Sequence, residues 1–343
     1  MNVMFISPYT SGPSAARFIQ ESFISGFRHE GYRCRAIDAR RLPDHDFQDE
    51  PPAIIWCDVV CSPFEDDWFL KALRKAKNSG AKIVLWLYWP LSDLPLARTQ
   101  AIKDNDVVDV CIGEREVDSM QHFIEDTGFA YYTIPMSANS SAHRVVPFNE
   151  DYAYDIAFVG AKLPKKRWFN EQIIVPLRKK YRVAVFGSNW TVADNFKRAA
   201  SKVLRMSNLP NVAANIDKTR FSISEEDELS LYSSAKICLN FHEREADLTQ
   251  PHHIVNFRTF KIPACGGFQI CDDVKNMRQY FGEDELVTIE CDRSKWFQQI
   301  EHYLHAPDER KQFVAKAYQR VRNEHMDYHR VRTLETLLGL RNE

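Results

Sequence analysis

Between positions 235 and 273 the chain reads AKICLNFHEREADLTQPHHIVNFRTFKIPACGGFQICDD, its densest run of side chains that could do chemistry. His242 closes an apolar run, Glu243, Glu245 and Asp247 follow, and His252 and His253 stand just before Asn256 and Arg258. A helix is expected to open near Val255 and to stop at Gly266-Gly267, ahead of a second apolar run, Phe268 to Cys271. A helix that starts after a polar loop leaves its first backbone N–H groups unbonded, so this start suits an anion. The His and acid residues also make a metal cluster on paper, but their spacing fits no common zinc pattern and no metal is expected. A histidine at a strand end is either functional or a satisfied structural group, and His242 carries both readings.

Other candidates lie outside this stretch. From Lys162 to Arg205 cations are frequent (KLPKKRW, RKKYR, KRAASKVLR), while acids gather elsewhere, as in Glu225-Glu226-Asp227-Glu228. That polarity suits phosphate groups or nucleic acid, although solvated helix faces would look the same. Trp86, Tyr88 and Trp89 cluster beside Asp93, where aromatics could stack on a sugar or an unstacked base, or Trp86 could be core. Ser11-Gly12, in the first loop, is small enough for a ligand to approach or is an ordinary turn.

These residues need a scaffold, and the apolar pattern supplies one. Short apolar runs (2–7, 32–37, 53–61, 82–88, 107–112, 130–134) alternate with amphipathic stretches in the first part. The alternation resumes with runs at 155–159, 182–186, 236–241, 268–271 and 286–289, and Val212 is read as opening a short strand. Strand–helix alternation with short loops predicts α/β architecture: two Rossmann-like, doubly wound domains facing across a cleft. The expected domains are 1–136, a polar linker 137–151, a second domain 152–325, and a C-terminal helix 326–343 packing back toward the first. Ligands of such sheets bind beyond the carboxyl ends of the strands.

Composition narrows the class. With 44% hydrophobic and 27% charged residues the chain is an ordinary globular protein, and a net charge of −2 excludes a uniformly basic one. No apolar run reaches the roughly 18 residues that span a bilayer, so no integral membrane association is expected. MNVMFISPY lacks a basic n-region and reads as a first strand, which makes cytoplasmic the expected location. Eight cysteines without a CxxC pair are read as reduced structural thiols.

The segments DIAFVGA, VFGSNW, YSSAKICLNFH and NFRTFKIPACGGF together resemble the GT-B glycosyltransferases, in particular the spore-maturation (CgeB-like) and group 1 types. The order of these motifs is also similar to that of bacteriophage DNA glucosyltransferases, and the resemblance covers Asp155 to Tyr328. It implies a nucleotide-sugar donor (UDP-, GDP- or dTDP-sugar), no required cofactor and no bound metal. Asn256 and Arg258 would then contact the donor phosphate or ribose, with the backbone at Gly266 and Gly267 approaching the ligand closely. Gly160 followed by Lys162, Lys165 and Arg167 would hold the diphosphate, and Gly187 with Ser188 the nucleobase.

Lys261 stands where the family usually has a ribose-binding glutamate. Lysine only donates hydrogen bonds, so another acid such as Glu243, Glu245 or Asp247 must do this work, or the donor is held differently. An inverting transfer needs a carboxylate base in the first domain; Asp93 is the first choice, with Asp58 and Asp66-Asp67 as alternatives. A retaining transfer could pass the proton to the departing phosphate. His242 would lie near the donor sugar, and Ser11, Gly12 and Trp89 near the acceptor.

The expected function is transfer of a sugar to a hydroxyl of a glycan, lipid, protein or small molecule. Transfer onto modified DNA bases is the alternative, a non-catalytic nucleotide- or sugar-binding module is a third, and a nucleotide-sugar epimerase a minor fourth. Acceptor, stereochemistry and oligomeric state stay open.

Overall fold

Two parallel sheets position the described candidate residues. The computed structural model describes residues 1–6, 15–45, 47, 51–87, 95–207, 209, 212–213, 216, 223–243 and 254–341. Ser11, Gly12, Tyr88, Trp89, Asp93, Glu245, Asp247, His252 and His253 lie outside them. Among the described residues two units are distinct: 1–6, 19–136 and 327–341 in the first, and 15–18 with 137–326 in the second.

In the first unit the elements run β1 (Asn2–Ile6), α1 (Ala15–His29), β2 (Arg33–Ile37), β3 (Ile54–Asp58), α2 (Asp67–Asn78), β4 (Lys82–Trp86), α3 (Leu96–Asp104), β5 (Val110–Gly113), α4 (Gln121–Thr127) and β6 (Tyr131–Thr133). The strands form one parallel sheet in the order β2-β1-β3-β4-β5-β6. Every residue of β3 and β5 is buried, as a parallel strand covered on both faces requires.

The second unit runs β7 (Ile156–Val159), α5 (Arg167–Phe169), a π turn (Asn170–Ile174), α6 (Val175–Lys180), β8 (Val183–Phe186), α7 (Val192–Met206), α8 (Glu225–Ser234), β9 (Ile237–Asn240), α9 (Arg258–Ala264), β10 (Gln269–Asp272), α10 (Met277–Tyr280), β11 (Val287–Ile289), α11 (Arg293–His305) and α12 (Pro307–Glu324). Its parallel sheet has the order β11-β10-β9-β7-β8. The strand order reverses between β7 and β9, a switch point where the loops diverge and leave a crevice.

Several expectations shift. Val212 and Ala213 are helical, not a strand, and the helix read from Val255 begins at Arg258. Residues 137–151, read as a linker, pack within the second unit: Ser233 Oγ and Ser234 Oγ accept from the Val146 and Asn149 N–H groups at 3.1 and 3.0 Å. The C-terminal helix α13 (Asp327–Leu337) belongs to the first unit. There Tyr32 donates to Glu335 at 2.7 Å, and a Cβ at Gly26 would stand 2.8 Å from the Asp327 backbone, so glycine lets the helix close in. All eight cysteines are free thiols, and among the described residues no helix is long and apolar enough to cross a membrane.

Candidate functional site

The carboxyl ends of β10, β9, β7 and β8 lie side by side, and they bring Asp272, Asn240, Gly160 and Gly187 to one edge of the second sheet. Gly187 has φ +122°, and a Cβ there would stand 2.4 Å from Gly160 O, so the loops after β7 and β8 touch backbone to backbone. The indole of Trp190 donates to Gly160 O at 2.6 Å and Lys162 N donates to Ser188 O at 2.9 Å, which pins the two loops together.

Arg258 opens α9 and reaches back over this edge. Its Nε donates to Asn240 Oδ1 at 3.1 Å and its Nη2 to Phe241 O at 3.3 Å. Nη1 lies 3.0 Å from where a Cβ of Gly160 would be, and no described residue accepts a hydrogen bond from it. Asn256 Nδ2 donates to the same Asn240 oxygen at 2.9 Å. Asn240 was not singled out above, although a polar residue closing the buried run ICLN is the available signal.

The second cation at this edge is Lys166, not Arg167. Lys166 is 4% exposed, and burial, aided by the nearby Arg258 charge, pushes its ammonium down to about 7 against the opposing pull of Glu243 and Asp272. No hydrogen bond from its ammonium to a described residue is formed. Lys166, Phe169, Ile173 and Leu177 are all buried at helical spacing, so the sequence did contain a signal for its inward position. Arg167 is exposed and bonded to Glu171 at 2.9 Å, Lys165 is exposed, and exposed Lys162 lies 5.7 Å from the Trp190 ring centroid.

His242 occupies a supporting place. It is 1% exposed; its Nδ1 donates to Asp272 Oδ1 at 2.7 Å, and its Nε2 accepts from Thr259 Oγ1 at 3.2 Å. Thr259 Oγ1 in turn accepts from Asn240 Nδ2 at 3.0 Å, so the chain Asp272–His242–Thr259–Asn240 orients the oxygen that holds Arg258. With both ring nitrogens engaged inside the protein, His242 has no free nitrogen to offer a substrate.

Lys261 is also turned inward. It is 4% exposed and bonded to Glu228 at 2.7 Å, with its ammonium 5.6 Å from the Phe257 ring centroid. The residue expected near a ribose is therefore half of an ion pair that ties α9 to α8. Gly266 and Gly267 precede β10 at its amino end, so they stand at the opposite sheet edge from Gly160. Their neighbours are protein: Val145 beside Gly266, and Ile262, Tyr232 and Cys238 around Gly267. Small residues serve close helix–strand packing there.

The first sheet has its own charged edge. Asp58 and Trp86 are paired in register at the ends of β3 and β4, and Glu114 follows β5 on the same face. Asp58 Oδ1 accepts from the Val60 and Cys61 N–H groups at 2.7 and 3.2 Å, whereas Asp58 Oδ2 and Glu114 Oε1 are buried without a partner. Burial raises both carboxyls, Asp58 to about 6 and Glu114 to about 7. Glu114 had not been considered; an acid directly after the buried run VCIG marks it. Asp66 accepts from Trp68 Nε1 at 3.1 Å, beside the start of α2. Among the described residues no group of three or more His, Cys, Asp or Glu could hold a metal ion.

A family model described as glycosyl transferase-like matches residues 165–336. The fold is similar to that of sucrose-phosphate synthase from Thermosynechococcus elongatus (11% identity, TM-score 0.59, covering 99% of this chain and 100% of that one). It is also similar to an α-glucosyltransferase in complex with UDP and a 13-mer DNA (10%, 0.62, 98% and 99%). Anabaena HepE in complex with UDP and glucose is a third similar structure (9%, 0.60, 99% and 100%). No curated protein sequence matches the chain.

Proposed function

Because the chain belongs to the glycosyl transferase-like family it transfers glycosyl groups, and we propose that the donor's diphosphate is held between Lys166 and Arg258. The observation that carries this reading is a pair of cations, drawn together at a switch-point edge, with Arg258 Nη1 and the Lys166 ammonium both unspent on described protein acceptors. An anion would relieve their mutual repulsion and return Lys166 to the charged form. As the glycosidic C–O bond breaks, charge grows on the departing diphosphate, and fixed cations stabilise it most at that moment.

Glu243 takes over the ribose contact in this reading. It is exposed and its charge is felt by both Lys166 and Arg258, whereas Lys261 is committed to Glu228. For an inverting transfer the acceptor proton goes to a carboxylate of the first unit, Asp93 or the buried Asp58; for a retaining one it goes to the departing phosphate. UDP-sugars come first in a donor panel because two similar structures hold UDP.

Thermal melting against UDP-, GDP- and dTDP-sugars tests the assignment, since a ligand that binds only the folded state raises the melting temperature. One donor should stabilise the wild type, and Arg258→Ala and Lys166→Met should lose both that shift and slow donor hydrolysis. A panel with no response sinks the assignment; a shift without any hydrolysis or transfer would leave a binding module instead.

A further inference from the structure

Helix α7 is inverted relative to the sheet it follows. Its buried positions are polar, Asp194 and Ser201 at 8 and 3% exposure, while Val192, Phe196, Val203 and Met206 are 87, 76, 61 and 78% exposed. At about 100° per residue those four side chains and Ala199 fall within an arc of about 80° on one face. The cause lies in the topology: β8 is an edge strand, so the helix after it has no described strand beyond to pack against. Single exposed apolar residues are ordinary, but an aligned stripe of four large ones marks an interaction surface.

Charge selects the partner. Lys202 borders the stripe at about 80° from its centre and Arg198 stands at about 120° on that same side, both exposed, with Lys197 at about 140° on the other; the only acid of the helix, Asp194, is buried with its carboxylate bonded to Asn189 N. The helix sequence holds four Lys and Arg, Lys197, Arg198, Lys202 and Arg205, against that one acid. A nucleic acid would meet the cations but leave Phe196, Val203 and Met206 in water. A second copy of the chain, docked stripe to stripe, would bring the cationic flanks against themselves. An anionic lipid surface answers both features, taking the stripe at the acyl boundary and the cations at the headgroups.

We infer that α7 is a peripheral docking element that lies flat on an anionic bilayer. At 15 residues the helix is too short to span one. The stripe and its flanking cations include none of the donor-binding residues, so the inference can be tested whatever the outcome there.

Vesicle co-sedimentation of the full chain decides it, using phosphatidylcholine alone and with about one third phosphatidylglycerol. The wild type should sediment only with the anionic vesicles and be released by high salt. Phe196→Asp with Val203→Asp should abolish sedimentation, and both sites are exposed, so melting and donor binding should be unchanged. Arg198→Glu with Lys202→Glu keeps the stripe and should weaken partitioning by about tenfold or more. Failure to sediment, equal binding to both vesicle types, or indifference to either double variant would overturn the inference. So would a wild-type dimer that the aspartate variant dissociates, or retention on duplex DNA without vesicle binding.

Discussion

Arg258 Nε donates to Asn240 Oδ1 at 3.1 Å, and that bond leaves Nη1 over the bare backbone of Gly160. The same Asn240 is fixed from behind by Thr259, and Thr259 by His242. One arginine is thus held by a relay of buried polar side chains, and its remaining donor faces the edge where the strands end.

Substitutions at the two glycines should separate binding from folding. In Gly160→Ala the new methyl meets Arg258 Nη1 and the Phe158 ring at 3.0 Å, so the guanidinium must shift. Donor KM is expected to rise about tenfold, the scale of one weakened charge-assisted hydrogen bond, with little loss of stability. Gly187→Ala sets a Cβ 2.4 Å from Gly160 O at φ +122° and should destabilise by about 2 kcal/mol or more. Urea denaturation together with steady-state kinetics would check both; equal stability loss in the two variants would contradict the assignment.

Donor binding should take up a proton. Lys166 is near half-protonated at pH 7 in the free protein, because burial lowers it to about 7, and a diphosphate favours its charged form. Affinity should weaken by about tenfold per pH unit above 7 until the bound form itself titrates. Calorimetry at pH 8 in buffers of different ionisation heat should give about one proton taken up by the wild type and none by Lys166→Met.

Restoring the usual glutamate at position 261 should harm the protein. Lys261→Glu would place two carboxylates at 4 and 7% side-chain exposure against each other, and Lys261→Met would leave Glu228 buried and unpaired. Each should cost about 3–5 kcal/mol, whereas Lys261→Met combined with Glu228→Leu should return close to wild-type stability. Chemical denaturation of the three variants reads this out, and a stable Lys261→Glu protein would argue that the pair is not formed.

Stability should fall as pH rises from about 4 toward 7 through the acids of the first sheet. Glu114 and Asp58 have folded values raised to about 7 and about 6, so over this window the folded state holds protons that the unfolded state has lost. Glu114→Gln removes one of these groups and should stabilise by on the order of 2 kcal/mol at pH 8, with no gain near pH 4. Melting curves at the two pH values test the sign. Lys166 acts oppositely at higher pH: its lowered value makes stability rise between about 7 and about 10.

Glu243→Ala should erase discrimination between ribose and deoxyribose donors. A carboxylate that accepts from ribose hydroxyls favours a UDP-sugar over a dTDP-sugar, and its removal should lower the UDP-sugar affinity by about tenfold while leaving the other unchanged. Competition binding with the two nucleotides measures the ratio; an unchanged ratio removes Glu243 from that role.

The fold class was legible because parallel strands covered on both faces need continuous apolar runs, and ICLN, IAFV and VCIG are such runs. Gly160 and Gly187 were legible too, as glycines that directly follow the apolar runs IAFV and VAVF. Orientation was not. KLPKKRW offers four cations in a row of seven residues, and only the packing of α5 and the following π turn decides that Lys166 goes in while Arg167 meets water. Gly266-Gly267 looked like a ligand cradle, yet a helix that leaves one sheet edge returns the chain at the other. His242 and Lys261 were identifiable as unusual residues, but their roles depend on Asp272 and Glu228, which stand 30 and 33 positions away in sequence. Local pattern determined the parallel strands and most of the helices, though not the helical turn at Val212, because backbone propensity and burial act over a few neighbours. Partnership among buried charges was decided only by tertiary structure, because the free energy of a buried charge depends on groups that the chain brings together from afar.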